Sequence, residues 1–124
     1  MLEETHIAVI EENPADARWF ELILKDIGFA PNLEIYQVAS RAIAKFKSTP
    51  APDLIISRWY LPDMEFVDAL HEIRSIPGFE RTPIAVFASD DRIREGASIL
   101  DVIGRISKPA VEAEVRDLIR KLWG

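Results

Sequence analysis

The sequence contains no cysteine in 124 residues. Disulfides, thiolate nucleophiles and cysteine metal sites are therefore excluded. It has two histidines, His6 and His71. They are far apart and in no motif, which argues against a paired-histidine metal centre and leaves both as ordinary surface or strand residues. Basic charge is short as well: 15 Lys and Arg stand against 21 Asp and Glu, for a net charge of −6. Phosphate binding wants a basic face, so nucleic acid is not expected as a partner. There is no Gly-rich phosphate loop and no nucleophile–histidine pair. No apolar run approaches the length that spans a bilayer. The start, MLEETHIAVIEEN, lacks the basic residues and long apolar stretch of a signal peptide. A cytoplasmic protein with no membrane contact is expected.

What is present is a globular composition, 48% hydrophobic and 29% charged. The length suits one domain with one core, residues 1–124, and there is no repeat, low-complexity tract or linker. His6 to Ile10 is a nearly continuous apolar run, as in a strand buried on both faces. Asn13 can cap a helix. Pro14 suits its first turn, and Asp16 places an anion near its positive end. Phe20, Ile23, Leu24 and Ile27 follow helical spacing up to Gly28. Leu33 to Val38 reads as an edge strand and Ser40 to Phe46 as a short helix. Asp53 to Ser57 is the third and most apolar strand. Phe66, Leu70 and Ile73 mark a third helix. Pro83 to Ala88 is a fourth strand. Ile93, Ala97 and Leu100 mark a fourth helix, capped by Ser89 or Asp90. Gly104 to Ser107 is a fifth strand, and Val111, Val115, Leu118, Ile119 and Leu122 stripe a fifth helix. Strict β/α alternation predicts a parallel sheet with helices on both faces.

In such a sheet the site lies outside the carboxyl ends of the strands. The residues there are Glu11, Glu12 and Asn13, then Arg58, then Ala88 and Ser89, then Lys108 and Pro109. Two adjacent carboxylates can hold a hard cation such as Mg²⁺; equally, they can be solvated loop residues that favour a helix N-terminus. Lys108 can reach an anion or the acidic pair, or can simply be solvated. Leu61-Pro62-Asp63 is a turn signal.

Taken together, Ile10-Glu11-Glu12-Asn13-Pro14-Ala15-Asp16, Asp53-Leu54-Ile55-Ile56, Leu61-Pro62-Asp63-Met64 and Ser107-Lys108-Pro109 resemble the receiver domain of two-component response regulators. The resemblance spans nearly the whole chain. It implies a doubly wound, flavodoxin-like (βα)5 three-layer sandwich with strand order 2-1-3-4-5. It also implies phosphoryl transfer from a histidine kinase to an aspartate beside Mg²⁺, read out by a switch hydroxyl and a lysine, here Lys108.

The chain departs from that pattern where the chemistry sits. Arg58 falls on the acceptor aspartate, and arginine has no nucleophilic oxygen. The switch hydroxyl falls on Ala88, with Ser89 one place later. The aromatic switch position falls on Arg105. The second acidic position is Glu12, a methylene longer than the usual Asp. Without metal, Glu11, Glu12, Arg58 and Lys108 sum to zero charge and can satisfy one another. The expectation is a degenerate, non-enzymatic receiver with no cofactor, Mg²⁺ being disfavoured, in which Arg58 pairs with the Glu pair; the other outcome is an Arg58 that points to water. Trp59 is expected to adjoin this site. A phosphoryl acceptor at Asp63 or Ser57 is the alternative. The resemblance further implies protein partners, namely a histidine kinase, an output protein or a second copy in a homodimer. Their docking face is made by the fourth helix, fifth strand and fifth helix, including Arg92, Arg94, Arg105, Glu112, Glu114, Arg116 and Arg120. The sequence runs out after the fifth helix, so no attached output domain is expected.

Overall fold

The computed structural model describes residues 5–27, 32–88, 104–107 and 111–123. In chain order it runs β1 (Ile7–Ile10), α1 (Pro14–Ile27), β2 (Leu33–Tyr36), α2 (Ala39–Phe46), β3 (Leu54–Arg58), α3 (Phe66–Arg74), β4 (Ile84–Ala88), β5 (Gly104–Ser107) and α4 (Val111–Trp123). The strands form one parallel sheet of order β2-β1-β3-β4-β5. The expected fourth helix lies outside the described residues, so α4 is the helix anticipated as the fifth. Strand ends moved by a residue or two. The edge strand stops at Tyr36, short of Val38, and β3 runs one residue further than expected, to take in Arg58.

Alternation along the strands sorts the core into two layers. Ile7 and Val9 of β1, Leu54 and Ile56 of β3, and Ala85 of β4 face α1 and α4, meeting Phe20, Ile23, Leu24, Leu118 and Ile119. Ala8, Ile10, Ile55, Ile84 and Val86 face α2 and α3, meeting Ile43, Phe46, Phe66, Leu70 and Ile73. β1 is buried along its whole length, which explains why its sequence is a run and not an alternation.

The helix starts are capped by different means. At α1, the Asn13 side-chain oxygen accepts from the Ala15 N–H at 2.8 Å and the Asp16 N–H at 3.4 Å. At α2 the residue before the helix is Val38, which has no side chain able to cap it. Asp63 caps it from a distant turn: Oδ1 accepts from Ala39 N–H at 3.1 Å and Oδ2 from Ser40 N–H at 2.9 Å. After α3 the chain turns at Pro77-Gly78, where Gly78 takes φ 95°, a conformation that L side chains rarely adopt.

Candidate functional site

The strand faces decide which polar residues meet. Glu11 follows Ile7 and Val9 on the α1 side of the sheet. Its N–H still donates to the Tyr36 carbonyl at 2.8 Å, so it extends the ladder by one residue. It is 1% exposed. Arg58 follows Leu54 and Ile56 on the same side. Asp16 sits in the first turn of α1, four residues before the buried Phe20, and so on the stripe that packs against this face.

These three side chains converge. Arg58 Nη1 donates to Glu11 Oε1 at 2.8 Å and to Asp16 Oδ2 at 3.3 Å. The guanidinium closes the pocket with 25% of its side chain exposed, and Asp16 is 19% exposed. Burial raises the pKa of Glu11 above its ordinary value. The hydrogen bond and charge of Arg58 oppose that rise without cancelling it, and the charge of Asp16 adds to it. The second carboxylate oxygen of Glu11, Oε2, is buried with no hydrogen-bond partner among the described residues.

The expected Glu pair is therefore split. Glu12 is exposed, in the bend after the strand, and it is Asp16 that joins Arg58 in its place. The spacing of Asp16 to Phe20, Ile23 and Leu24 on one helix stripe was the signal that could have found it. Arg58 does not point to water. Trp59 faces the other way, its ring 5.4 Å from that of Phe66 in the α2–α3 layer, so it is a neighbour of the site in sequence only.

The two alternative acceptors are engaged elsewhere. Ser57 is 2% exposed and donates its hydroxyl to the Arg58 carbonyl at 3.1 Å. Asp63 has both oxygens on α2 backbone N–H groups; burial works against its ionised form, but those bonds outweigh it and hold its carboxyl below the ordinary value. Ala88 ends β4 opposite Ser107, and Arg105 lies in β5 opposite Val86. Ser89, Lys108, Arg92 and Arg94 lie outside the described residues. On α4, Arg116 reaches Asp26 of α1 at 3.0 Å, and Arg120 lies 3.9 Å from Asp117 on the same helix; both are exposed surface pairs.

No protein-family model matches the chain, and no curated protein matches it. Solved structures do. The receiver domain of sensor histidine kinase PA1611 from Pseudomonas aeruginosa PAO1, solved with a magnesium ion coordinated in its active site cleft, is 21% identical. The match covers 95% of this chain and 96% of that one, with a TM-score of 0.83. Chemotaxis response regulator CheY4 of Vibrio cholerae is 18% identical over 95% and 98% of the two chains, with a TM-score of 0.81. The signal receiver domain of a signal transduction histidine kinase from Syntrophus aciditrophicus is 22% identical over 95% and 89%, with a TM-score of 0.79. The chain has the receiver fold.

Within that fold, the strand-end cluster fits a dication poorly. Mg²⁺ asks for a near-octahedral shell of oxygens held by carboxylates. Here the facing oxygens of Glu11 and Asp16 are both taken by Arg58, whose fixed positive charge stands where the carboxylates converge. Among the described residues, no group of three His, Cys, Asp or Glu side chains is arranged to hold a metal.

Proposed function

We propose that this chain is a receiver-type signalling module of the two-component kind that acts by binding protein partners and does not accept a phosphoryl group. One observation carries the reading: Arg58, which the motif resemblance aligns with the acceptor aspartate, makes ion pairs to buried Glu11 and to Asp16 at 2.8 and 3.3 Å. Arginine offers no oxygen to attack phosphorus and stays protonated at any working pH. Its guanidinium supplies, as a tethered side chain, the positive charge that two converging carboxylates require. On this reading the pocket is structural, non-catalytic and independent of Mg²⁺, and the domain is held in one state.

A partner then recognises a surface and not a phosphate. A histidine kinase, an output protein or a second copy of the chain would dock on the face carrying β5 and the last helix, where Arg120 and Asp117, exposed and 3.9 Å from each other, present charge of both signs. Among the described residues no helix is long and apolar enough to cross a membrane. A cytoplasmic setting belongs to the same proposal.

Acetyl phosphate and Mg²⁺ followed by intact-mass measurement test the reading. The chain is expected to keep its mass, while a receiver with an acceptor aspartate gains one phosphoryl group under the same conditions. A phosphoryl adduct on this chain, at Asp63, Ser57 or elsewhere, overturns the proposal. The engaged states of Asp63 and Ser57 weigh against that outcome.

A further inference from the structure

A cavity of about 240 Å³ opens beside the β2 edge on the α2 side of the sheet, the face opposite to the one that carries Arg58. Its floor is the start of β1, where Ile7 and Ala8 are buried. The approach to β3 at Pro50 to Pro52 forms one wall, and Tyr36 of β2 with Phe46 of α2 forms another. Their two rings meet edge to face, with centroids 5.8 Å apart and planes at 74°.

Glu34 is the single acidic residue lining this cavity; no Lys or Arg lines it, and its other polar lining residues include His6, Asn32 and Thr49. Tyr36 donates its hydroxyl to Glu34 Oε2 at 2.5 Å. That bond fixes the carboxylate against the aromatic wall, and an ionised carboxylate has lone pairs for further donors. Burial, with the Glu34 acceptor and charge beside it, pushes the Tyr36 hydroxyl above its usual pKa, so it remains a donor throughout the working range. Aromatic faces beside a carboxylate attract a cation and not an anion. The net charge of −6 adds a long-range attraction of the same sign. The volume is below that of a typical drug-sized pocket, which sets the size of the guest.

We infer that this cavity binds a small organic cation, an amine on a short apolar body, with the ammonium at Glu34 and Tyr36 and the body against Phe46 and the Pro50–Pro52 wall. The site is separate from the strand-end pocket, and the inference does not depend on the signalling role proposed above.

The test is a backbone-amide NMR titration of the whole chain with phenethylamine and, in parallel, with its neutral counterpart 2-phenylethanol. The amine is expected to saturate, with shifts concentrated at Ile7, Ala8, Tyr36 and Phe46, and to bind about tenfold tighter than the alcohol. Glu34→Gln, at an exposed position that leaves the core intact, is expected to weaken the amine about fivefold or more and leave the alcohol unchanged. Tyr36→Phe keeps the ring and removes the hydroxyl, and is expected to weaken the amine less than Glu34→Gln does. Equal binding of amine and alcohol, indifference to Glu34→Gln, or shifts scattered over the acidic surface would each overturn the inference.

Discussion

Two carboxylates stand just past the carboxyl ends of neighbouring strands and are satisfied in opposite ways. Glu11, after β1, is buried and faces a guanidinium; Asp63, in the turn after β3, is exposed and faces two peptide N–H groups. Burial wins at Glu11 and raises its pKa, while hydrogen bonding wins at Asp63 and lowers it. A carboxylate in the dry layer thus depends on one partner cation, whereas a carboxylate at the rim serves the backbone of another element. The residue type is nearly the same, and the difference is made by which face of the sheet the chain presents.

The largest effect is expected from Arg58→Met, which leaves Glu11 buried and uncompensated. Breaking a buried pair in this way costs about 3–5 kcal/mol, so urea unfolding at pH 7 should fall by that amount. The loss should shrink on acidification, because protonated Glu11 no longer needs a cation. Unchanged stability would mean that the Arg58 corner and the Asp63 turn are not different in kind.

Next in size is Asp63→Ala, which removes the cap of α2. Capping residues contribute about 0.5–2 kcal/mol. Its pH dependence runs opposite to that of Glu11. The folded pKa of Asp63 lies below its unfolded value, so its contribution is present above the ordinary value of 3.8 and is lost as pH falls through the folded pKa. For Glu11 the folded form binds more protons, so stability falls as pH rises from the ordinary value of 4.5 through the folded pKa. Stability curves of Asp63→Ala and Glu11→Gln against pH should therefore depart from the parent chain with opposite slopes. The smallest effect belongs to Glu12→Gln, an exposed position expected to stay within about 0.5 kcal/mol.

Much of this was legible in the sequence. The apolar run at Ile7 to Ile10, the Asn13 cap and the Phe20-Ile23-Leu24 stripe read directly as a covered strand and a packed helix, and the position of Arg58 followed from the motif around it. Its partner did not. Glu11 and Glu12 look alike as letters, and only the ladder bond from Glu11 N–H to Tyr36 fixes which of them stays on the sheet's inner face. Asp16 read as a helix-start anion because that role is local; its second role needs α1 laid across β1 and β3. Trp59 was placed beside the site by sequence adjacency, but strand alternation turns it to the opposite layer. Asp63 read as a turn residue, and its grip on α2 depends on a contact 24 residues back along the chain.

That grip has a consequence for the order of events in folding. Helix α2 has eight residues and no capping side chain of its own. Short helices are marginal without tertiary support. Its first turn acquires a cap only when Asp63 arrives, after β3 has been made and the chain has turned. A nascent chain that ends before residue 63 therefore holds this helix with a frayed start, and the segment that completes it comes from the far side of the strand that carries Arg58.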